Sequence, residues 1–260
     1  MSERGFGVAA GLDEGIAAGL ATRCEQLGYG SMWTNDHPGA NGLETLAAFA
    51  EGSGGVDLGV AVMALDRHEP EAIDATIQRL GLDRKRLWLG VGAGFSERPL
   101  TTMREAEPKL REAIPGVRLV LAAMGPKMCA LGGASYDGVF FNWMTAGFAS
   151  DAREHVESGA RDAGREAPPV FGYVRTSAGD DAGERLAKEE SFYRDLHAGY
   201  RNHFDRLGEP EGTVGVAGAD RDSVQGELAA YGEVLDVTVV RGLASATLEA
   251  MGALAEAAAP

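Results

Sequence analysis

His37 is the side chain of this sequence best suited to acid–base chemistry. It lies in segment 33–38 (WTNDHP), directly after a short apolar run, and is one of five histidines. A neutral imidazole can accept or donate a proton near neutral pH, and the adjacent carboxylate of Asp36 can tune it. A loop histidine packed against Trp33 is the competing interpretation. We expect His37 to carry out catalytic proton transfer, with Asp36 orienting it.

The other four histidines are expected to play lesser parts. His68 stands beside Asp66 and Arg67 just before a predicted helix, where helix capping or surface charge is the better explanation. The remaining three lie on predicted helices and are expected to be solvated: His155, His197 and His203.

Two glycine-containing turns could bring backbone N–H groups against an anion. The first is Gly92-Ala93-Gly94, and the second is segment 125–128 (GPKM), where Lys127 lies at the start of a predicted helix. Ordinary strand-to-helix turns are the simpler interpretation of both. Neither turn matches a Walker A motif or the GxGxxG dinucleotide fingerprint. Together they favour a phosphate-bearing ligand.

Aromatic side chains follow several predicted strands and could form walls for a flat ring system. They are Trp33, Phe95, Trp143 and Phe148. Packing in the upper core is the alternative explanation for all four. Arg175 ends another predicted strand and joins this group as a candidate substrate contact. The sequence contains no GxSxG, HExxH or paired-carboxylate motif, which argues against a hydrolase, a zinc enzyme or a glycosidase.

Eight predicted β/α units position these residues. The predicted strands are Phe6–Ala10, Ser31–Thr34, Val56–Met63, Arg86–Val91, Val117–Ala122, Gly138–Trp143, Val170–Val174 and Leu235–Val240. A long helix over residues 184–206 and a short apolar piece over 213–217 follow the seventh strand. This alternation predicts one (β/α)8 TIM barrel over residues 1–260, with an open doubly wound sheet as the alternative. The catalytic end would then be the carboxyl ends of the strands.

Composition and net charge argue against several classes of binding partner. The chain has 260 residues and a formal charge of −15, so its surface repels nucleic-acid backbones. No apolar run approaches the length needed to span a membrane. The two cysteines, Cys24 and Cys129, form neither a disulfide framework nor a metal-binding pattern, and no metal is expected. We expect a soluble, cytoplasmic protein.

Three segments, in order, resemble the luciferase-like flavin and deazaflavin oxidoreductases. Segment 24–38 (CEQLGYGSMWTNDHP) resembles that family's "ELGFDSVWxxDH" stretch. Segment 58–94 (LGVAVMALDRHEPEAIDATIQRLGLDRKRLWLGVGAG) is similar to its third strand, helix and fourth strand. Segment 122–143 (AAMGPKMCALGGASYDGVFFNW) resembles "AALGPKM…ADGVLLNW". The segments are most similar to the subgroup that uses coenzyme F420, a deazaflavin that carries hydride.

The resemblance implies a role for each candidate residue. His37 aligns with a histidine that acts in proton transfer beside the deazaflavin, and Ala61-Val62 aligns with a non-proline cis peptide behind the ring. The cofactor-binding residues it implies are Ala61, Val62, Gly92, Ala93, Gly94, Ala123, Met124, Gly125, Pro126, Lys127, Met128 and Asn142. From their positions near predicted strand ends, rather than from the resemblance, the expected substrate contacts are Trp33, Phe95, Trp143 and Arg175.

Phe95 departs from the family, since some members carry a Glu there, which argues against Glu-assisted oxidation of an alcohol or sugar. The segment 94–117 and the region after the seventh strand are short, so we expect an open pocket or one completed by a partner subunit. Members of the family often form homodimers. We therefore expect an oxidoreductase that passes hydride between coenzyme F420 and a small organic substrate. The alternatives are a reduced-FMN-dependent monooxygenase, a non-catalytic flavin-binding protein, and a flavin-free phosphate-binding lyase or isomerase.

Overall fold

Nine parallel strands alternate with helices in residues 3–260, the part of the chain that the computed structural model describes. The strands are β1 (Glu3–Val8), β2 (Ser31–Thr34), β3 (Asp57–Ala64), β4 (Leu87–Gly92), β5 (Arg118–Ala122), β6 (Gly138–Asn142), β7 (Val170–Ala178), β8 (Val216–Gly218) and β9 (Val237–Gly242). The helices are α1 (Glu14–Gln26), α2 (Gly42–Gly52), α3 (Pro70–Arg79), α4 (Pro99–Ala113), α5 (Pro126–Ser135), α6 (Ala146–Asp162), α7 (Ala182–Leu196), α8 (Ala198–Leu207), α9 (Arg221–Gly232) and α10 (Leu248–Ala257). No helix within residues 3–260 is both long and apolar enough to cross a bilayer.

Eight of the strands close into a barrel. They pair in the order β1 to β7 and then β9, and β9 returns to β1 with Gly5 opposite Val239. A sheet whose first and last strands pair has no free edge, so the (β/α)8 barrel is confirmed and the open sheet is wrong. The three-residue β8 lies outside the ring, where it pairs with β7 from Thr176 onward.

The barrel interior is filled by large side chains that need small neighbours. Trp33 on β2 is fully buried and packs against Phe140 and Phe171, with ring centroids 4.8 and 5.2 Å away. A Cβ atom at Gly59 on β3 would lie 2.2 Å from the Trp33 ring, so glycine is required there. The expectation that Trp33 forms a substrate wall is therefore wrong, because its ring points into the barrel core rather than out of its end.

The region after β7 differs most from the sequence-based expectation. Residues 179–236 form the longest connection in the barrel, with two helices where one long helix was predicted. The helix breaks at His197, whose backbone is extended (φ −161°) and whose ring accepts a hydrogen bond from the Gly199 N–H at 3.0 Å. An extended residue cannot continue the helix, so α8 turns in a new direction.

Candidate functional site

The candidate residues gather at one end of the barrel. Because all eight strands are parallel, their carboxyl ends open at the same end, called here the mouth. In a ring of eight, β3 lies opposite β7 and β4 lies opposite β9. The mouth therefore has two facing sides, which differ strongly in the side chains they present.

The β3–β4 side of the mouth is made of small residues. The Ala61–Val62 peptide on β3 is cis, as the resemblance implies, and the β3–β4 register shifts between Val60 and Met63. A Cβ atom at Gly90 on β4 would lie 2.3 Å from the Val60 carbonyl oxygen, and one at Gly92 would lie 3.0 Å from the Val62 side chain. Only glycine lets the two backbones come this close. The small side chains of β3 and β4 therefore form a shallow surface at the mouth, called here the floor.

The β7–β9 side carries two arginines. Arg175 and Arg241 are register partners on adjacent strands and are 2% and 7% exposed. Alternate residues of a strand face the same side. Arg175 lies two residues after Tyr173 on β7, and Arg241 lies two residues after Val239 on β9; both Tyr173 and Val239 lie in the barrel interior. Both guanidinium groups thus lie at the upper edge of the barrel interior.

Aromatic rings and one amide surround Arg175. Its guanidinium donates to the Asn142 Oδ1 and lies 4.1 Å from the centre of the Trp143 ring and 5.0 Å from that of Tyr193. Trp143 is 1% exposed, so it supports Arg175 from below. The expectation that Trp143 lines the substrate space is wrong, because its ring packs against α7 and α8.

Arg241 has aromatic contact but makes no ion pair. Its guanidinium lies 5.9 Å from the Tyr173 ring centre, and within residues 3–260 neither Arg241 nor Arg175 makes an ion pair. Burial lowers the pKa of Arg241, and the Arg175 guanidinium lowers it as well, while Tyr173, Tyr193 and the Glu189 carboxylate oppose the shift. Two like charges are therefore held together in a buried place.

Buried hydrogen-bonding groups at the mouth also lack partners. The Tyr173 hydroxyl, the Arg175 Nε and the Trp143 Nε1 are inaccessible and make no hydrogen bond in the described chain. Burial raises the pKa of the Tyr173 hydroxyl, so it stays protonated as a donor. Unpaired buried polar groups are rare in proteins, and three of them at one place call for an explanation, such as a ligand that pairs with them.

Helices α7 and α8 cover the arginine side. The Asn142 amide donates to the Tyr200 hydroxyl on α8 at 3.4 Å, and the Tyr200 ring lies 5.0 Å from that of Tyr193 on α7. The exposed Phe95 ring, after β4, lies 5.0 Å from the His197 ring at the α7–α8 junction. Since β4 and β7 are not neighbours, this contact reaches across the mouth. The region after the seventh strand therefore covers part of the mouth.

Asp36 does not contact His37. Its carboxylate is buried and accepts hydrogen bonds from Arg67 at 2.7 Å, from His68 at 2.8 Å and from the Gly42 backbone N–H at 3.1 Å. Successive residues of an extended segment point to opposite sides, so Asp36 faces the β3 loop while His37 faces solvent. Asp36 therefore ties the loops after β2 and β3 together, and His68 is its partner rather than a cap or a free surface charge.

His37 is exposed, in the loop after β2. Its Nδ1 accepts a hydrogen bond from the Gly39 backbone N–H at 3.1 Å. This bond places the proton of the neutral ring on Nε2, which is left without a partner in the described chain. In this tautomer His37 presents an N–H donor to a molecule at the mouth. The Nε2 atom presents a lone pair only in the other neutral tautomer, in which Nδ1 carries the proton and the Gly39 hydrogen bond is broken.

The two glycine turns differ in charge. At the first, the Phe95 backbone N–H donates to the Asp66 carboxylate at 2.9 Å, and a Cβ atom at Gly94 would lie 2.0 Å from Asp66. This turn already holds an anion. At the second, no side chain caps helix α5 at Gly125, and Lys127 is exposed beside it. Only the α5 turn offers an unoccupied place for a phosphate.

His203 departs from the expectation of a solvated helix position. It is fully buried, its Nε2 donates to the Trp143 carbonyl at 2.6 Å, and its Nδ1 accepts from Arg206 at 3.2 Å. Trp143 has a positive φ of 54°, which L-residues rarely adopt. His203 therefore holds the turn that places Trp143 under Arg175. His155 and His197 are exposed, as expected.

Arg241 is the functional candidate that sequence reasoning missed. It directly follows the predicted strand Leu235–Val240, so the rule that selected Arg175 at a strand end also applies to it. Tyr193 and Tyr200 gave no such signal, because their position over the mouth depends on the break at His197.

The chain is similar to a known family and to solved structures. The sequence profile of luciferase-like monooxygenases matches residues 100–256. The coenzyme F420-dependent tetrahydromethanopterin reductase from Methanopyrus kandleri is 16% identical, with a TM-score of 0.77 over 98% of this chain and 97% of that chain. An F420-dependent secondary alcohol dehydrogenase, in complex with an F420–acetone adduct, is 15% identical, with a TM-score of 0.74 over 99% of both chains.

A third similar structure binds a different cofactor. The oxygenating constituent of 3,6-diketocamphane monooxygenase from Pseudomonas putida, in complex with FMN, is 13% identical, with a TM-score of 0.66 over 100% of this chain and 99% of that chain. No curated protein sequence matches the chain. At these identities the structural similarity establishes the fold.

Proposed function

Because this chain belongs to the luciferase-like monooxygenase family, we propose that it is an oxidoreductase that transfers hydride between coenzyme F420 and an organic substrate. The observation that carries the proposal is the asymmetry of the mouth, with a floor of small residues facing a wall of hydrogen-bond donors. The two F420-dependent enzymes above have higher TM-scores than the FMN-bound one, which also supports a deazaflavin. The protein would act as a homodimer, as the resemblance implies, and in the cytoplasm, as its composition favours.

The floor fits a flat ring. Ala61, Val62, Gly92 and Ala93 present little side-chain volume, and a Cβ atom at Gly92 would already lie 3.0 Å from the Val62 side chain. We assign these residues to the face of the ring. When bound, the deazaflavin supplies the hydride chemistry, while the protein supplies position and electrostatics.

The start of α5 fits a phosphate-bearing tail. The segment from Ala123 to Met128 brings backbone N–H groups and the Lys127 ammonium together at a helix N-terminus, where the helix dipole favours an anion. By contrast, Asp66 at the Gly94 turn repels one. We therefore assign tail binding to α5 and leave Gly94 the role of shaping the mouth.

His37 is the residue we assign to proton transfer. When the ring takes the tautomer with its proton on Nδ1 and releases the Gly39 N–H, its Nε2 can accept a proton, and the imidazolium so formed can give it back. Asp36 acts as a positioning residue, because it fixes the loop that carries His37 without touching its ring.

A reduced-FMN-dependent monooxygenase is the second candidate, favoured by the similar FMN-bound structure. The two cofactors have rings of the same shape, and the floor of small residues suits either. What separates the candidates is which cofactor binds and whether oxygen is consumed.

A side-by-side fluorescence titration with coenzyme F420 and FMN, each oxidised and reduced, tests the proposal. We expect micromolar binding of F420 and weaker binding of FMN. Lys127→Ala should weaken F420 binding about tenfold through loss of one charge-assisted contact. Its matched control, Lys85→Ala, removes an exposed lysine before β4 and should change nothing. Preference for reduced FMN would favour the monooxygenase, and absence of binding by either cofactor would overturn both candidates.

A further inference from the structure

Two buried arginines face the mouth, and neither forms an ion pair in the described chain; the Glu189 carboxylate acts on Arg241 only from beyond ion-pair distance. Arg175 and Arg241 lie side by side in register, and the polar side chain bonded to them in the described chain is the Asn142 amide. The chain has 39 acidic residues against 24 basic ones, so carboxylates are plentiful. None of them forms an ion pair with either arginine within residues 3–260.

Other partly buried arginines of this protein have strong acceptors. Arg67 donates to Asp36 at 2.7 Å and Arg194 to the fully buried Glu190 at 2.6 Å, while Arg4 and Arg86 donate to backbone carbonyls. Removing an ion from water is costly unless a counter-charge and hydrogen bonds offset the lost hydration. Cation–π contact with Trp143 and Tyr193 offsets a part of this cost for Arg175. The remaining deficit indicates that a negative charge completes the site.

We propose that Arg175 and Arg241 bind a carboxylate of the substrate, attached to an apolar or aromatic body. A guanidinium fork matches the geometry of a carboxylate, and the unpaired Tyr173 hydroxyl supplies a further donor beside the pair. The rings of Tyr193 and Tyr200 cover the same place, so they suit an apolar body. This inference rests on the proposed function, because it takes the bound carboxylate to belong to the substrate. The arginine pair faces, across the barrel, the floor that we assign to the cofactor ring.

The same anion could come from the cofactor, whose tail carries acidic groups. The arginines project from β7 and β9, whereas the α5 turn assigned to the tail follows β5. The two anion sites are thus separate in the fold, and substitutions distinguish them.

Benzoate and benzamide form a matched pair of probes, because they share shape and differ in charge. Their binding to the protein without cofactor is measured by calorimetry and by the fluorescence of Trp143, whose ring lies against Arg175. We expect benzoate to bind at least tenfold more tightly than benzamide. Arg175→Gln and Arg241→Gln should each remove this preference, and Arg175→Lys should restore part of it.

Arg118→Gln is the control, because Arg118 lies over Trp88 at the other end of the barrel. It should leave the benzoate preference unchanged. Equal binding of benzoate and benzamide to the wild-type protein, no benzoate binding, or an equal loss in Arg118→Gln would each overturn the proposal. So would an F420 affinity that falls tenfold in Arg175→Gln while benzoate binding persists, because the arginines would then hold the cofactor. The wild-type comparison needs neither a variant nor a cofactor, so its outcome is independent of the F420 titration.

Discussion

Two arginines of this protein lie flat over tryptophan rings, at opposite ends of one barrel. Arg118 lies 4.0 Å from the Trp88 ring centre at the amino-terminal end, and Arg175 lies 4.1 Å from that of Trp143 at the mouth. The Nε atoms of both are buried without a partner. The difference is the carboxylate, since Arg118 forms an ion pair with Asp57 at 3.0 Å and Arg175 forms none in the described chain.

The difference separates a structural pair from a binding pair. The Arg118 side chain is about one-third exposed, so water shares its charge as well as Asp57. Arg175 is almost fully buried beside a second arginine, which makes its charge costly in the absence of a ligand. The arginine charge at the amino-terminal end is thus paired, whereas the two arginine charges at the mouth have no ion-pair partner in the described chain and would be balanced by an anionic ligand.

The largest expected contrast between the two ends is in activity. We expect His37→Ala, at the mouth, to slow hydride transfer by about 10²–10⁴-fold, because a positioned acid or base contributes that much. The single-turnover change in F420 absorbance, followed against pH, measures it. His155→Ala removes an exposed histidine of α6 and serves as control. An unchanged rate and pH profile in His37→Ala would show that its assigned role is wrong.

The layer between the two ends should dominate stability. Trp33→Ala leaves a cavity in the barrel interior and should lower the free energy of unfolding by about 3–5 kcal/mol, as measured by urea denaturation. Phe95→Ala, which removes a ring that is 68% exposed, should change it by less than about 0.5 kcal/mol. Comparable losses in the two variants would contradict the placement of Trp33 in the core.

Replacing each arginine by methionine should have opposite effects. Arg118→Met leaves Asp57 without its partner and should lower the free energy of unfolding by about 0.5–1 kcal/mol, since the pair is partly exposed. Arg175→Met removes a buried unpaired charge and should raise it by about 1 kcal/mol. Urea denaturation of the two variants in parallel checks the signs. Destabilisation of equal size in both would remove the distinction between the pairs.

The smallest expected effect is the contribution of His203, a buried residue near the mouth, to the pH dependence of the free energy of unfolding. Burial lowers the pKa of His203, the Trp143 carbonyl opposes this, and Arg206 lowers it further. As the pH falls, His203 of the unfolded chain therefore takes up a proton before His203 of the folded chain, near the ordinary histidine pKa of about 6.5. The stabilisation is present above that pH and lost as the pH falls through the lower pKa of the folded state. In His203→Gln the fall in stability from pH 7 to pH 5 should be shallower, and an unchanged slope would contradict this account.

Much of the fold could be predicted from the sequence, because local patterns set it. The strand Ser31–Thr34 agrees residue for residue with the predicted one. Gly28 follows α1 with a positive φ of 90°, as is typical of glycine after a helix. Periodicity places apolar residues on elements, and eight alternating units of this length leave few arrangements. The break at His197 was missed because its cause is one extended residue within a helical pattern.

The site was less predictable, because the predicted end of a strand locates a residue along the barrel but does not tell which way its side chain points. Sequence reasoning brought His37, Lys127, Asn142 and Arg175 to the mouth correctly. It could not show that the Asp36 carboxylate bonds to His68 rather than orienting its neighbour His37, because this hydrogen bond joins two loops through residues that are 32 positions apart. Nor could it show that Trp33 points inward, which depends on the space that Gly59 leaves on the adjacent strand.

The central claim, that the cofactor binds at the mouth, is tested most directly by the F420 titration repeated on two variants. Gly92→Val fills the floor between Val62 and Ala122, and Arg118→Gln alters the opposite end of the barrel. The account predicts that the dissociation constant of F420 rises at least tenfold in Gly92→Val and stays unchanged in Arg118→Gln. Unchanged binding in a folded Gly92→Val protein would place the cofactor elsewhere and contradict the account.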